Sequence, residues 1–470
     1  MMPDKIITIS PNNNQPILER VEPTKSELET LLTNSLKAFK IFSKNYDLKQ
    51  RQEIIKKALS LLSSKQDELA RELTEQMGRP IAYTAKEIQT AIKRCEYLLK
   101  ISDHVFADTP GEPEEGFKRY IRKEPLGPVL IIFAWNYPYL ILVNSLIPAL
   151  LAGNSVILKP SPQTPTIAEH FQSIFLEAGL PADVIRFFHS AGMNATIPKI
   201  AIQSPIVKLI CFTGSVEGGL AVLGAASARI VPVGLELGGK DPAYIRQDVD
   251  LDWAAAEIVD GALFNSGQSC CSVERVYVHH SICNQFVQAI QKVLKSYKLG
   301  DPFDPKTHLG PVISSKSQTF IREQIDEAIQ AGAQDVTPEN ESFKNLPPHG
   351  NFVKPTLLIN VNHSMRVMTE ETFGPVIPVM SVKDDEEAIK LMNDSDFGLT
   401  ASIWTKDLKL AEGLTNEIEA GTVFVNRCDF PAADLAWTGW KNSGKGVTLS
   451  RFGFDQFTKL KSVHLKSYPN

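Results

Sequence analysis

The segment LGPVLIIFAWNYPYLILVNSLIPALLAGNSVILKPS, residues 126–161, decides the fold. Val129 to Phe133 is a short apolar run behind Gly127-Pro128 and reads as a strand. Pro138 to Ala152 reads as a helix, Gly153-Asn154 as a turn, and Ser155 to Leu158 as a second apolar run. Strand, helix and strand in so few residues make a crossover unit whose strands are buried on both faces. Taken whole, Leu126 to Val143 is apolar enough to raise a membrane span. Gly127, Pro128, Asn136 and Pro138 interrupt it, however, and Asn144 and Pro148 follow, which suits a buried strand–turn–helix better than lipid.

The same alternation extends in both directions. Thr166 with Glu169 predicts a capping box for a helix ending near Gly179. Val207 to Phe212 predicts a strand and Ser215 to Ala226 a helix. Farther on, Asp252 to Asn265 and Asp384 to Met392 read as helices, Glu274 to Val278 and Thr422 to Val425 as strands. Upstream, residues 24–105 have helical periodicity, with apolar returns at Leu59, Leu61, Leu62 and Leu69. Pro110, Gly111 and Pro113 make a loop, and Gly116 to Lys123 alternates as an extended ribbon does. The expected class is α/β, with two mostly parallel sheets flanked by helices and one projecting ribbon.

Bulk properties exclude several functions. At 470 residues the chain exceeds one ordinary core, so two or three domains are expected. Hydrophobic residues at 43% and charged residues at 22% exclude collagen-like, disulfide-scaffold and wholly disordered chains. A net charge of −5 gives no electrostatic reason to expect nucleic acid or an anionic membrane as partner. Six cysteines in so long a chain suggest free thiols in a reducing compartment. Met1 to Pro16 shows no apolar signal-peptide core, so a cytoplasmic protein is expected.

The chemistry concentrates in a few short blocks. Asn265-Ser266-Gly267-Gln268-Ser269-Cys270-Cys271 places two thiols in a turn after a helix predicted to end at Gly267. A thiolate is a strong nucleophile, although a free cysteine is more often a small buried hydrophobe. In Leu235-Glu236-Leu237-Gly238-Gly239, a lone carboxylate sits between leucines beside a tight turn. An apolar setting raises a carboxylate's pKa and suits it as a general base, while the commoner case is a surface glutamate. Asn136 follows an apolar strand and either donates to an oxyanion or caps the helix after Pro138, the local pattern favouring the cap. Lys159 ends a strand, where open α/β sheets bind ligands. Phe212-Thr213-Gly214-Ser215 leads into a helix whose first amides suit a pyrophosphate. The Gly214-to-Gly219 spacing is not the usual dinucleotide fingerprint. No metal-ligand spacing stands out.

These blocks occur together and in order. E-P-L-G-P-V at 124–129, W-N-Y-P at 135–138, P-A-L-L-A-G-N-S-V-I-L-K-P-S at 148–161 and F-T-G-S at 212–215 come first. E-L-G-G-K at 236–240, G-Q-S-C at 267–270 and E-E-T-F-G-P-V at 370–376 follow. From about residue 25 onward the chain resembles the aldehyde dehydrogenase superfamily, in its NAD(P)-dependent, non-acylating form. The resemblance implies a Rossmann-like coenzyme-binding domain from 1–106 and 126–238, and a catalytic domain from 239–457. The last part of that domain is expected to pack back on the coenzyme domain. It further implies an oligomerisation arm from 107–125 and 458–470, hence a homodimer or homotetramer.

The same resemblance assigns roles. Cys270 is the nucleophile, Glu236 activates water for deacylation, and Asn136 with the Cys270 backbone N–H forms the oxyanion hole. Trp135, Lys159, Ser161, Gly214, Ser215, Gly219, Glu371 and Phe373 surround NAD or NADP. Tyr137, Asn144, Ser269, Cys271, Arg427 and Asp429 border a small aldehyde. Three departures matter. Where this chain has Pro162, many members carry a glutamate that grips the adenosine ribose hydroxyls and disfavours a 2′-phosphate, so tolerance of NADP is expected. Ala436-Trp437-Thr438-Gly439 replaces a P-F-G-G pattern, and Asn144 stands where several members place an aromatic residue. Arg427 suits either a substrate carboxylate or an ion pair with Asp429, the pair being favoured. Cys271, adjacent to Cys270, is expected only to pack, because disulfides between sequence neighbours are strained. Three rival readings remain: a CoA-acylating dehydrogenase, which the presence of Glu236 disfavours; a non-catalytic binding protein; and a coenzyme-free thiol hydrolase.

Overall fold

The computed structural model describes residues 5–193 and 195–468. Residues 1–4 and Asn194, expected within the coenzyme domain, and residues 469–470 of the expected arm lie outside the described residues. Five strands run parallel in the order Val233–Glu236, Leu209–Thr213, Val129–Ile132, Val156–Lys159, Ile185–Phe187. Chain order reverses at the pair Val129–Ile132 and Leu209–Thr213, and the crevice at the carboxyl ends of such a pair is where doubly wound sheets bind ligands. Every residue of Val129–Ile132 and Val156–Lys159 is buried, as continuous apolar runs require of strands covered on both faces.

Pro138–Ala152 is buried over nearly its whole length. It lies against the helices Leu48–Ser64 and Ile81–Val105, and only Leu140 and Ile141 are half-buried. Proline at its start and Gly153 in the left-handed region at φ 92° bound it. The capping box at Thr166 does not form. The helix Thr166–Glu177 has no side-chain cap, because both residues are taken by distant partners. Thr166 donates to Glu72 at 3.0 Å, while Glu169 pairs with Arg20 and His189.

The second sheet runs Gln334–Asp335, Thr356–Ile359, Val376–Val382, Val273–His279, Asp241–Ile245, Thr400–Trp404, Thr422–Val425. Only the first of these strands is antiparallel to its neighbour. Gly444–Lys445 crosses back to pair antiparallel with Val233–Glu236 on the edge of the first sheet. Thr458–Lys466 pairs antiparallel with the whole of Phe117–Pro125, and Thr109–Pro110 adds a third strand. This ribbon exposes Leu460 and Leu465. Among the described residues, no helix is long and apolar enough to cross a membrane.

The helix before the two cysteines is Leu251–Leu263, shorter than the sequence pattern suggests. Asn265, Ser266 and Gly267 follow with φ of 54°, 57° and 73°, a left-handed run that reverses the chain. Gly267 is required there: a Cβ would lie 2.2 Å from the Gly374 carbonyl oxygen.

Candidate active site

Two cavities, of about 380 and 600 Å³, open on opposite sides of one wall. The wall is Asn136, Ile141, Thr213, Glu236 and Cys270, which line both. Three of these stand at strand ends or turns at the crevice. Asn136 follows Val129–Ile132, Glu236 ends Val233–Glu236, and Cys270 follows the left-handed run. Gly239 lets Cys270 approach, since a Cβ there would lie 2.5 Å from the Cys270 carbonyl oxygen. The three residues singled out from distant blocks of sequence are thus brought together.

Asn136 is buried, and its amide donates to the Gln268 carbonyl at 3.3 Å instead of capping a helix. The cap expected of it is supplied by Glu87, whose carboxylate accepts from the Tyr139 and Leu140 amides at 2.9 and 3.3 Å. Glu87 in turn pairs with Arg79, buried like itself. Arg79 also donates to the Asn136 carbonyl and to Asn265 Oδ1, and lies over the Tyr137 ring at 4.2 Å. One guanidinium therefore ties the turn at Asn136 to the left-handed turn before Cys270. Replacing Arg79 by methionine should cost about 3–5 kcal/mol, because Glu87 is left buried without its counter-ion. Chemical denaturation reads the loss, and the double variant R79M/E87L should recover part of it.

Glu236 is half-buried, with its carboxyl group in the wall between the cavities. Burial pushes its pKa up, opposed by hydrogen bonds from Thr448 and Thr213 and by the Arg94 charge. Arg94 is itself buried in the smaller cavity and donates to Asn144 Oδ1 at 2.8 Å and to the Pro431 carbonyl at 3.2 Å. Asn144 is thereby bound to a cation instead of standing free at the pocket mouth.

The residues expected to border the aldehyde share one cavity but differ in their partners. Tyr137, Asn144, Ser269, Cys271, Arg427 and Asp429 all line the smaller cavity, with Trp437. Arg427 and Asp429 do not form the ion pair favoured from sequence. Arg427 lies over the Phe430 ring at 3.5 Å, while Asp429 accepts from Ser269 at 2.8 Å and from the Cys271 thiol at 2.9 Å. Asp429 has φ of 47°, and this left-handed turn points its carboxyl inward. Burial pushes that carboxyl up to about 7. Cys271 is held well above the ordinary thiol value by its contact with Cys270, by burial and by Asp429, so it stays a protonated donor.

The larger cavity holds Trp135, Gly214, Ser215, Glu371 and Phe373. Trp135 meets Phe373 edge to face at 5.7 Å between centroids. Ser215 caps the helix Val216–Ala226 through the Gly218 amide, and Gly219 packs that helix against Leu237. Glu371 accepts from the Gly239 amide at 3.0 Å, and burial with the nearby Glu274 charge pushes its carboxyl up to about 8. Glu274 was not marked by the sequence. It receives the Thr372 and Phe373 amides and the buried Lys240 ammonium, and so fixes the loop that carries Glu371 and Phe373.

Lys159 and Ser161 line neither cavity but lie along the carboxyl edge of the first sheet. Ser161 accepts from the Gln163 amide at 3.2 Å. Burial lowers the Lys159 ammonium to about 8, with Glu22 opposing the shift. A buried ammonium, a helix N-terminus and an aromatic pair along one edge fit a dinucleotide. Among the described residues, no group of three or more His, Cys, Asp or Glu side chains could hold a metal ion.

Comparison with known proteins agrees with this geometry. The family model described as "Aldehyde dehydrogenase family" matches residues 2–463. Retinaldehyde dehydrogenase 3 of Homo sapiens is 33% identical over 466 residues, covering 98% of this chain and 90% of that protein. Betaine aldehyde dehydrogenase of Staphylococcus aureus, solved in complex with NAD+, superposes with a TM-score of 0.92 at 30% identity. That match covers 99% of this chain and 93% of the other. An NADP-dependent enzyme of Escherichia coli gives a TM-score of 0.92 at 28% identity, over 98% and 95% of the two chains. With the family model spanning nearly its whole length and relatives matching end to end, the chain belongs to the aldehyde dehydrogenase family and oxidises aldehydes with a nicotinamide dinucleotide.

Proposed function

We propose that Cys270 is the nucleophile, Asn136 the oxyanion donor and Glu236 the base of hydrolysis. The observation that carries this is the shared wall: the thiol, the amide and the carboxylate are reached from both cavities at once. The aldehyde then enters by the smaller cavity, and the dinucleotide is held along Lys159, Gly214, Ser215, Glu371 and Phe373. Trp135, Ser161 and Gly219 complete that edge. The Cys270 thiolate adds to the aldehyde carbon, and the new alkoxide is met by the Asn136 amide and the Cys270 backbone N–H. When bound, the nicotinamide supplies a hydride acceptor, which leaves a thioester on Cys270. Glu236 takes a proton from water as its oxygen attacks the thioester carbon, and the Cys270 thiolate departs with the acid as product.

The walls of the smaller cavity suit an uncharged aldehyde or one with hydrogen-bond donors. Asp429 offers acceptors beside Cys270, whereas Arg427 is stacked on Phe430. Residues 126–238, with the N-terminal helices, form the coenzyme domain, and residues 239–457 the catalytic one. The ribbon of 107–125 and 458–468 is the arm that joins copies into a homo-oligomer, and the cysteines, all free, support a cytoplasmic location.

Reduced-coenzyme absorbance with aliphatic, aromatic and ω-carboxy aldehydes tests the reading, run with NAD+ and with NADP+. Failure of every aldehyde, with dinucleotide still bound, would reject it in favour of a binding protein. Asn136→Ala should lower kcat by about 10² to 10³ with little change in KM, the effect of removing one oxyanion donor. An equal rise in KM with kcat unchanged would remove Asn136 from that role.

A further inference from the structure

Lys159 and Glu22 are opposite charges, both buried and not in contact. Lys159 is 3% exposed, and its ammonium donates only to the neighbouring Pro160 carbonyl among the described residues. Glu22, directly after the strand Pro16–Val21, is 8% exposed. No described donor reaches its carboxylate, and Oε1 is enclosed without a partner. The Glu22 charge acts on Lys159, yet no ion pair joins the two.

The placement of Glu22 is built into the fold. The hairpin of Lys5–Ile9 and Pro16–Val21 is fastened to the loop after Lys159. Thr8 Oγ1 donates to the Pro162 carbonyl at 2.8 Å, and Gln163 Nε2 donates to the Ile9 carbonyl at 2.8 Å. Arg20 grips Glu169 at 2.6 Å on the following helix. Thr8 and Ile9 lie opposite Leu18 and Pro16, so these contacts fasten the turn end of the hairpin, while Arg20 fastens the strand that leads into Glu22.

A carboxylate oxygen enclosed away from water with no donor, as Oε1 is, is unfavourable, and such a group calls for a specific explanation. The missing partner has to donate to a carboxylate and accept from an ammonium at the carboxyl edge of a doubly wound sheet. A vicinal diol does both. A phosphate monoester does not, since it brings negative charge against Glu22.

We infer that Glu22 supplies the ribose-binding carboxylate that position 162 lacks. The adenosine 2′- and 3′-hydroxyls bind between it and Lys159, and NAD+ is preferred to NADP+. The inference rests on the coenzyme reading above. It replaces the expectation of NADP tolerance, which considered position 162 alone. Discrimination here is by repulsion of the wrong ligand as much as by contact with the right one.

The test is equilibrium binding of NADH and NADPH, followed by their fluorescence, to the full-length protein and its variants. The wild type should bind NADH at least about tenfold more tightly than NADPH, as a buried like charge opposing the 2′-phosphate requires. The isosteric Glu22→Gln should narrow the ratio to about threefold or less, mainly by tightening NADPH. Adding Pro162→Glu to that variant should restore the preference. Unliganded E22Q should melt no lower than wild type, because an unpaired buried charge has been removed. Equal binding of the two nucleotides by wild type, a ratio unchanged in E22Q, or a fall in its melting temperature would each overturn the role of Glu22. Binding of neither nucleotide would overturn the coenzyme reading with it.

Discussion

Cys270→Ala is expected to lower aldehyde oxidation by at least about 10⁴, because the covalent route is lost and not merely slowed. Binding of NADH should stay within about threefold of wild type, since the dinucleotide is held by groups the substitution leaves in place. No neighbour can take over. The Cys271 thiol donates to Asp429, is held well above its ordinary value, and packs with Trp437, Leu399 and Leu449. Cys271→Ala should therefore retain most activity. Serine at 270 should not rescue, because an unactivated hydroxyl is a far weaker nucleophile than a thiolate. Ester hydrolysis should vanish with the same substitution, since it uses the same thiol. Residual oxidation by C270A above about one-hundredth of wild type would reject a thioester route.

What the sequence revealed of the fold follows from where periodicity is strong. Val129–Ile132, Pro138–Ala152 and Thr422–Val425 were legible because each is apolar throughout or bounded by proline and glycine. The second sheet was only half legible. Its strand order depends on pairings between segments more than a hundred residues apart, such as Asp241–Ile245 with Thr400–Trp404. The helix boundary at Leu263 was misread because Asn265 and Ser266 do not advertise a left-handed conformation. Thr166 and Glu169 carried a capping signature that long-range partners overrode.

The candidate site shows the same division. Cys270, Glu236 and Asn136 sit in short motifs beside turns, where local pattern alone favoured commoner structural readings and the co-occurrence of the blocks singled them out. Glu87 and Arg94 lie on a helix, Glu274 on a strand, and Arg79 and Glu22 in short links between elements, where a single charge looks like a solvated one. Their burial arises only when distant segments pack, as when Ile81–Val105 brings Glu87 under the amides of Tyr139 and Leu140. Arg427 was the opposite case: its loop looked unusual and its charge conspicuous, yet it is exposed and stacked on Phe430.

Glu236→Gln is expected to separate the two halves of the reaction. Steady-state turnover should fall by about 10³ to 10⁴, the range for losing a positioned general base. The first hydride transfer does not need that base, so a burst of reduced coenzyme close to one equivalent per active site should remain. The enzyme should then carry the acyl group on Cys270, visible as a mass increase that hydroxylamine removes. The pH dependence gives an independent check. Burial raises the Glu236 carboxyl, and only its deprotonated form accepts a proton from water, so deacylation-limited kcat should rise with pH through that raised value. The rising limb should disappear in E236Q. Thr448→Val, which removes a donor that favours the charged form, should move it to higher pH. An acyl-transferring enzyme behaves differently: its second step needs an external thiol, so coenzyme A would accelerate wild type and E236Q alike. Should E236Q keep full turnover with water alone, or gain it only with coenzyme A, Glu236 is not the base of hydrolysis. A burst without turnover, relieved by neither, leaves proton abstraction from water as the step that Glu236 performs.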